Sequence, residues 1–300
     1  MKHVFIINPH AGKVNIYDKA VSEISKFTDK YDISIHKTTE EKDATNFVKR
    51  YVELHPTEEI RFYACGGDGT INEVVSGAVN YPNVSVCVYP CGSGNDFVKS
   101  IGRLEFYNDI EKILNAKNKK IDVIKVGENC YSINVCNYGF EAKVAKYANQ
   151  IKKKGGKNPY LRGVIRGLFT GMKNKITVEA DGEVLNPNGT MLLGGSANGG
   201  YVGGKYFCAP NFVLDDGLLE VTLVKQVSVF TLIKLIKQYE LGNHLKDKRF
   251  EKLLVYKRAK KVKIYSDKPF DVCIDGEIIN GKEFKIEILE KAINFAVEEC

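Results

Sequence analysis

The stretch "YACGGDGTINEVVSG", residues 63–77, places three glycines around Asp68, between a strand pattern at 60–65 and a helix pattern. The helix pattern is amphipathic, because apolar residues recur at the spacing i, i+3, i+4 and i+7 in Ile71, Val74, Val75 and Ala78. A glycine-rich turn between a strand and a helix brings backbone N–H groups to a helix N-terminus. Unpaired donors and the helix dipole both favour an anion there. The stretch therefore predicts a phosphate-binding turn that presents Asp68 at the carboxyl end of a strand.

Strand and helix patterns alternate over the first 126 residues. We expect strands at 3–8, 33–38, 60–65, 84–90 and 120–126, and helices at 15–29, 43–54 and 70–80, with Asp43 as a helix N-cap. This alternation predicts a parallel sheet covered on both faces, as in an α/β nucleotide-binding domain.

Beyond residue 127, strand patterns follow one another and are separated by Asp-Gly and Asn-Gly turns. Successive strands of this kind predict an antiparallel β-sandwich, here interrupted by two helical patterns near 141–150 and 227–240. We therefore expect an α/β domain over 1–126 and a β-sandwich domain over 127–300. For the last fifteen or so residues, packing against the α/β domain stays open as an alternative.

The charge balance is mildly basic. Among 300 residues, 44 Lys and Arg face 37 Asp and Glu, a net charge of +7 that favours anionic partners. Residues 151–175 hold eight basic side chains and no acid, and residues 246–263 hold nine basic and two acidic ones. Two interpretations stay open for these clusters: a solvated face, or a surface that meets a negatively charged membrane.

The remaining composition favours a cytosolic protein with peripheral membrane contact. The eight cysteines show no paired or zinc-ligand spacing, and the chain starts directly in a strand pattern. The longest later apolar run, at 227–236, is too short to span a bilayer. No nucleic-acid recognition motif accompanies the basic clusters, and a homodimer is compatible with the sequence.

Two further glycine turns follow the first and fourth expected strands: "NPHAGK" (8–13) and "PCGSGNDF" (90–97). Together with "GGDGTINEVVSG", "LDDGLLEV" (214–221) and a late "DGE" (275–277), their order and spacing resemble the diacylglycerol kinase and sphingosine kinase family of lipid kinases. The resemblance covers nearly the whole chain and is greatest to compact bacterial members. It implies an ATP- and Mg²⁺-dependent enzyme that phosphorylates the hydroxyl of diacylglycerol or a related lipid, with the active site in a cleft between an α/β domain and a β-sandwich.

The resemblance also implies residue roles. The residues expected at ATP are Asn8, Pro9, His10, Ala11, Gly12, Thr39, Gly66, Gly67, Asp68, Gly69, Thr70, Ile71, Asn72 and Ser93. A structural magnesium is expected at Asp216 and at the main-chain carbonyls of Val213 and Leu218. The family's proton acceptor corresponds to Glu277.

Elementary chemistry agrees with these roles and leaves alternatives open. Phosphoryl transfer needs donors for the phosphates, a divalent cation and an acceptor for the hydroxyl proton. Carboxylate oxygens suit Mg²⁺, and the candidates are Asp68, Asp122 and Asp216. Asp275 and Glu277 are both candidate bases, expected to alternate along one strand and so to share a face.

The tripeptide "DGE" occurs twice, and its earlier copy at 181–183 lies inside "ITVEADGEVL", a pattern typical of a tight hairpin. We therefore predict that Asp181 and Glu183 are turn residues. By local pattern the later copy could equally be a hairpin, and only the family position selects Glu277.

Two other functions remain as alternatives. One is a kinase of a soluble substrate such as NAD, since "GGDGT" is shared with NAD kinases. The other is a nucleotide-binding regulatory protein without catalysis. The downstream "LDDG" and "DGE" elements favour the lipid kinase.

Overall fold

The computed structural model describes residues 1–12, 16–92, 94–155 and 157–298. The chain forms two compact units: unit 1 comprises residues 1–123 and 289–300, and unit 2 comprises residues 124–288. The boundary expected after residue 126 lies three residues further along the chain than the observed one. The chain passes between the units twice, once within a strand at Lys117–Val126 and once within a strand at Glu277–Val297.

Unit 1 alternates strands and helices in the predicted order as far as β4, and three short helices that the patterns did not predict then precede β5. Its elements are β1 Lys2–Ile7, α1 Ile16–Ser25, β2 Ile33–Lys37, α2 Asp43–Leu54, β3 Ile60–Gly66, α3 Asp68–Ala78, β4 Val84–Pro90, α4 Val98–Ile101, α5 Leu104–Tyr107, α6 Ile110–Leu114 and the first part of β5 Lys117–Val126. The predicted α/β fold is confirmed, and the helices end within a few residues of their expected limits.

The sheet of unit 1 is parallel and runs in the order β18–β4–β3–β1–β2, with β18 defined as Glu277–Val297. Every residue of β3 and β4 is buried, as in a parallel sheet covered on both faces. The expected strand at 120–126 exists as part of β5. The strand beside β4, however, is the C-terminal part of β18, where Asn294 pairs with Ser85.

A buried arginine ties the short helices to this sheet. Arg61 on β3 is 2% exposed, and its guanidinium donates hydrogen bonds to the carbonyls of Ile113 and Leu114 at 3.0 and 3.3 Å. It also donates to the side chains of Ser85 and Asn118. A buried charge is tolerated only when its donors are paired, so this set of acceptors fixes the end of α6 and the start of β5 against β3.

The expectation that Asp43 is the N-cap of α2 is wrong. The N-cap is Lys42, in a left-handed conformation with φ 68°, and Asp43 is the first helical residue. The Asp43 carboxylate turns instead toward the preceding loop, where it accepts hydrogen bonds from the N–H and the hydroxyl of Thr39 at 2.8 and 3.1 Å.

Unit 2 is an antiparallel β-sandwich, as predicted, and its described residues include three helices of twelve or more residues. Its elements are the end of β5, β6 Cys130–Ser132, β7 Val135–Gly139, α7 Phe140–Lys153, α8 Pro159–Thr170, β8 Asn174–Lys175, β9 Thr177–Ala180, β10 Glu183–Val184, β11 Thr190–Met191, β12 Leu193–Ala197, β13 Tyr201–Val202, β14 Tyr206–Phe207, β15 Leu219–Val224, α9 Val229–Glu240, short 3₁₀ turns at Asn243–Leu245 and Lys248–Phe250, β16 Leu254–Ala259, β17 Lys261–Ile274 and the first part of β18.

The main sheet of unit 2 runs β16–β15–β12–β7–β17–β18, with every neighbouring pair antiparallel. Strand β9 pairs with the other part of β17, and β10 pairs with β9. Inward-facing side chains of these strands form one buried cluster around Tyr138, Val221 and Ile264. The core of unit 2 therefore lies between sheet layers, which is the feature that defines a sandwich.

Both Asp-Gly-Glu segments are two-residue hairpin turns. Ala180 pairs with Glu183 across the first, and Ile274 pairs with Glu277 across the second. Their turn residues have positive φ, 48° and 84° in the first and 46° and 98° in the second, as a type I′ turn requires. The prediction for Asp181 and Glu183 is confirmed. The expectation that Asp275 and Glu277 alternate along one strand is wrong, because Asp275 lies in the turn.

Helix α8 was not anticipated by the sequence analysis, which took residues 151–175 only as a basic surface. Gly163 and Gly167 of α8 pack against α7, where a Cβ on Gly163 would lie 2.7 Å from the carbonyl oxygen of Val144. The two helices thus approach closely because α8 has no side chains on that face. Among the described residues, no helix combines the length and the apolar character needed to cross a membrane.

The contact between α2 and α3 gives a test of packing in unit 1. A Cβ added at Gly77 would lie 2.7 Å from Val48 Cβ and 2.9 Å from the Thr45 carbonyl oxygen. We expect Gly77→Ala to lower the free energy of unfolding by about 1–3 kcal/mol, although alanine is the better helix former by about 1 kcal/mol. The matched control is Gly69→Ala in the same helix, whose Cβ meets nothing within 4 Å. Guanidinium unfolding followed by circular dichroism should show the control at or above wild-type stability, and a stable Gly77→Ala protein would contradict the packing.

Candidate functional site

Three glycine-bearing turns meet at the carboxyl ends of β1, β3 and β4. The Gly66 carbonyl accepts hydrogen bonds from the N–H groups of Cys91 and Gly92 at 2.8 and 3.2 Å. A Cβ on Gly92 would lie 2.6 Å from Gly67 Cα, and a Cβ on Gly12, whose φ is 69°, would overlap the Cys91 carbonyl oxygen. The glycines thus let three main chains approach more closely than side chains would permit.

The N-terminus of α3 opens onto these turns. The N-cap is Gly67, which brings no side-chain acceptor, and the first intrahelical bond runs from the Ile71 N–H to the Gly67 carbonyl at 3.1 Å. The N–H groups before Ile71 are therefore oriented as donors for an anion. Asp68 reaches across to the turn after β4, where its Oδ1 accepts a hydrogen bond from the Phe97 N–H at 3.1 Å.

The turn after β1 is held against the same helix. Asn8 donates through its amide Nδ2 to Thr70 Oγ1 at 3.2 Å, and its own main-chain N–H donates to the Cys65 carbonyl at 3.0 Å. Its Oδ1 accepts from the N–H of His10, whose side chain is exposed. Thr39 lies next to Thr38, whose main-chain N–H donates a hydrogen bond at 3.0 Å to the carbonyl of Ile7, the last residue of β1. The structure thus gathers at one sheet edge the described residues that the resemblance assigns to ATP; Ser93 lies outside the described residues.

A cation belongs to this edge as well. Lys99 Nζ donates to the Gly94 carbonyl and to Asp96 Oδ1, each at 3.0 Å. The sequence analysis passed over it because Lys99 lies beyond the glycine motif, on a four-residue helix without a periodic pattern.

Asp122 has a different environment from the other metal candidates. It is fully buried on β5, and its Oδ1 accepts a hydrogen bond from the Lys291 N–H at 2.7 Å. Lys291 has a φ of 50° and therefore sits at a local irregularity of β18. The carboxylate fastens the returning C-terminal strand within unit 1.

The loop before β15, in unit 2, carries the donor set that the resemblance assigns to magnesium. Asp216 Oδ1 accepts a hydrogen bond from the Leu218 N–H at 3.1 Å, around Gly217 with a φ of 70°. Its Oδ2 accepts a hydrogen bond from Arg258, which also donates from Nε to the buried Glu220 at 2.7 Å. A carboxylate and carbonyl oxygens are ligands that suit Mg²⁺, so the donor chemistry fits. Among the described residues, no group of three or more His, Cys, Asp and Glu side chains forms a metal cluster.

The two candidate bases differ in their surroundings. Asp275 accepts hydrogen bonds at Oδ1 from the Ser132 hydroxyl (2.8 Å) and the Val135 N–H (3.0 Å), and at Oδ2 from the Ile133 N–H (2.8 Å). These bonds fasten the β17–β18 turn to the segment between β6 and β7. Glu277 begins β18 and is exposed.

Unit 2 also contains an apolar cavity of about 220 Å³. Side chains of α7, α8, α9, β12 and β15 line it, among them Val144, Val164, Leu168, Leu193, Leu232 and Ile236. Among the described residues that line it, Glu141 is the one with an ionisable carboxyl group. A cavity of this kind excludes water and accepts hydrocarbon.

Burial raises the pKa of Glu141 to about 7, although the Tyr239 hydroxyl, which donates to Glu141 Oε1 at 3.4 Å, acts in the opposite direction. The carboxyl group is therefore partly neutral near pH 7. The sequence analysis did not single out Glu141 and Tyr239. The available signal was an acid three residues before Val144, on the apolar face of a helical pattern.

Family models match both units. Residues 2–126 match the model described as diacylglycerol kinase catalytic domain. Residues 134–297 match the model described as YegS C-terminal NAD kinase beta sandwich-like domain.

Relatives match over most of the chain. A diacylglycerol kinase of Bacillus subtilis (strain 168) is 28% identical over 92% of this chain and 90% of its own length. A protein of Shewanella frigidimarina named "Probable lipid kinase YegS-like" is 28% identical over 77% and 74%.

Solved structures share the fold. The crystal structure of a diacylglycerol kinase from Bacillus anthracis superposes with a TM-score of 0.73 at 23% identity, covering 99% of this chain and 97% of that one. An NAD kinase from Archaeoglobus fulgidus superposes with a TM-score of 0.52 at 12% identity, covering 99% and 94%. With both family models matched in their expected order, the chain belongs to the diacylglycerol kinase-like lipid kinase family that joins a diacylglycerol kinase catalytic domain to a YegS-type β-sandwich.

Proposed function

We propose that the protein is an ATP- and Mg²⁺-dependent lipid kinase that transfers the γ-phosphoryl group of ATP to the hydroxyl of diacylglycerol or a closely related lipid. The apolar cavity of unit 2 carries this proposal, because it adds a site for hydrocarbon to a chain whose unit 1 has a site for phosphate.

The nucleotide side rests on the glycine turns. Phosphoryl transfer depends mainly on positioning and on neutralising charge, and the turns supply main-chain N–H donors at a helix N-terminus. Asp68 ties the turn after β3 to the turn after β4, so the two move as one cradle. ATP phosphates bind along Asn8–Gly12 and Gly66–Asn72, with the Lys99 ammonium close to the last turn.

The acceptor side rests on the cavity. Its lining is mostly aliphatic and aromatic, with Glu141 and three tyrosines as its polar groups among the described residues. A hydrocarbon chain of the lipid fits this chemistry. Since Glu141 is partly protonated near neutral pH, it contributes less than one full negative charge to the cavity wall.

Glu277 is the proton acceptor for the lipid hydroxyl. Both Asp275 oxygens accept hydrogen bonds from other residues of unit 2, which favours a positioning role for Asp275. These bonds fix the β17–β18 turn, and the Glu277 carboxylate follows directly after it. Glu277 is exposed, and a general base must lie within reach of the substrate hydroxyl.

The loop of Val213, Asp216 and Leu218 would hold the structural Mg²⁺, which would supply positive charge to the loop. Arg258 holds the Asp216 carboxylate in place between the loop and Glu220. The protein works at the periphery of an anionic membrane in the cytoplasm, because diacylglycerol resides in the bilayer and the basic clusters favour an anionic surface.

A substrate panel tests the proposal. The purified protein is incubated with γ-labelled ATP and MgCl₂, and with diacylglycerol, monoacylglycerol, sphingosine or undecaprenol in mixed micelles, or with soluble NAD. We expect label in phosphatidic acid, and removal of the metal with EDTA should abolish it. Label in NAD with none in lipid would replace the proposal with the soluble-substrate kinase, and nucleotide binding without transfer would favour a regulatory protein.

Glu277→Gln should lower kcat by about 10²–10⁴-fold, because the amide keeps the size of the side chain and cannot take up the proton. ATP affinity, measured by calorimetry, should stay within about twofold of wild type. The matched control is Glu183→Gln at the equivalent place of the other Asp-Gly-Glu hairpin, where the carboxylate pairs with Lys257 on the surface. Wild-type turnover in Glu277→Gln would remove this residue as the base.

Glu141 predicts a pH dependence of stability. Its folded-state pKa of about 7 lies above the ordinary value of 4.5, so between these values the folded state retains a proton that the unfolded chain has released. The contribution of Glu141 is therefore full below pH 4.5 and is lost as the pH rises through 7. Glu141→Gln should gain stability relative to wild type over this range, by at most about 3 kcal/mol.

Urea unfolding of both proteins at pH 5 and pH 8 measures this difference. Tyr239→Phe serves as the control: losing the hydroxyl removes the hydrogen bond that lowers the Glu141 pKa, so the window should move to higher pH. A difference between wild type and Glu141→Gln that is the same at both pH values would contradict the burial of this carboxyl group.

A further inference from the structure

We propose that α8 and the first two turns of α9 form a membrane-docking face that inserts apolar side chains into an anionic bilayer; the docking face deepens the proposed lipid kinase function and rests on it. It consists of Leu161, Ile165 and Phe169 on α8 and Val229, Phe230 and Ile233 on α9, with the basic side chains beside them.

The apolar side chains of α8 lie on the face that points away from the protein. Leu161, Ile165 and Phe169 recur every four residues and are 58%, 47% and 88% exposed. At about 100° per residue, they lie roughly opposite Gly163 and Gly167, the residues that pack on α7. A helix that buries one face and still exposes an aromatic and two aliphatic side chains on the other is unusual in water.

The start of α9 shows the same feature. Val229, Phe230 and Ile233 are 39%, 86% and 64% exposed, and the exposed Lys234 and Lys237 flank them. Ser228 caps this helix by accepting a hydrogen bond from the Thr231 N–H at 3.2 Å, so the exposed side chains project from a well-defined first turn.

The two helices belong to one surface because they line the same cavity. Tyr160, Val164 and Leu168 of α8 face it, one helical position before the exposed series, and Val229 and Ile233 of α9 are both exposed and part of its lining. The exposed apolar side chains therefore border the cavity in which the proposed function places a lipid chain. A lipid could leave the bilayer there without crossing water.

The charges identify the occupant as an anionic bilayer. The segment 151–175 has eight basic side chains and no acidic one, and Arg162 and Arg166 lie on α8 next to its exposed apolar face. Arg166 also stacks over the ring of Tyr147 at 4.5 Å, which holds its side chain beside the helix. Apolar side chains flanked by cations are the pattern of helices that lie in the interface of an anionic membrane.

Vesicle flotation tests the face. Vesicles of phosphatidylcholine with 30% phosphatidylglycerol and vesicles of phosphatidylcholine alone are mixed with wild type, with Phe169→Ser/Phe230→Ser, and with Arg162→Gln/Arg166→Gln. We expect the phenylalanine variant to lose at least about tenfold in partition coefficient on the anionic vesicles. The arginine variant should lose most of the preference for anionic over neutral vesicles. The matched control is Leu54→Ser, at an exposed leucine of α2 in unit 1.

A tryptophan reporter gives a second measurement. The chain contains no Trp, so Phe169→Trp creates a single fluorophore. Its emission should shift to shorter wavelength on anionic vesicles and be quenched by brominated lipid, whereas Leu54→Trp should show neither effect. Thermal unfolding of each variant confirms that the fold is retained, since the substituted side chains are exposed.

The outcomes separate this proposal from the proposed function. Loss of vesicle binding with unchanged phosphorylation of diacylglycerol in detergent micelles supports both. Binding that depends on Phe169 and Phe230 in a protein that phosphorylates no lipid supports the docking face and overturns the kinase. Vesicle binding that is absent, or equal in wild type and the phenylalanine variant, overturns the docking face. The docking face is also overturned if sedimentation without vesicles shows a dimer that the two phenylalanine substitutions dissociate, because the face would then join two copies of the chain.

Discussion

The structure of unit 1 depends on a contact between main chains that only glycine permits. The carbonyl of Gly66 receives two N–H groups from the turn after β4, and Gly92 lies so close to Gly67 that a Cβ on Gly92 would be 2.6 Å from the neighbouring Cα. This contact joins the ends of β3 and β4 and leaves the N-terminus of α3 open between them. The proposed phosphate site is thus a consequence of how the strand ends are joined, and hydrogen bonds of the Asn8 and Asp68 side chains hold the adjacent turns in place.

What the sequence could predict of the fold follows from the range of the forces involved. Hydrophobic periodicity and turn chemistry are local, so β1 to β4, α2, α3 and both Asp-Gly hairpins were accessible to pattern analysis. The position of the C-terminal strand beside β4 was not, because pairing of Asn294 with Ser85 depends on contacts more than 200 residues apart. The hydrogen bond between Asp122 and the main chain of Lys291 was inaccessible for the same reason, because no local pattern connects these two residues.

The candidate site divides in the same way. The glycine turns predict a phosphate site from the sequence, because a close approach of main chains requires residues without a Cβ at those positions. Carboxylates carry no such signature: Asp275 and Glu277 are two residues apart and chemically alike, yet one is bound by the β6–β7 segment and the other is exposed. Only the three-dimensional arrangement distinguishes a carboxylate that holds a turn from one whose side chain is exposed. Glu141 is a stronger case, since burial raises its pKa and no local sequence pattern reports that burial.

Helix α8 shows why a helix with apolar side chains on two faces is hard to recognise from its sequence pattern. The glycines of α8 face α7, a second row of its side chains lines the cavity, and a third row is apolar and exposed. Arg162 and Arg166 are the charged side chains that mark a polar side of this helix. A helix on the surface of a soluble protein has one apolar stripe, whereas a helix between a protein core and a bilayer has two apolar faces. The basic residues that looked like a separate surface in the sequence belong to this helix and its flanks. Charge and hydrophobicity at 151–175 thus have a common physical explanation: one face of the helix completes the cavity, and the other is suited to the membrane from which the cavity would be filled.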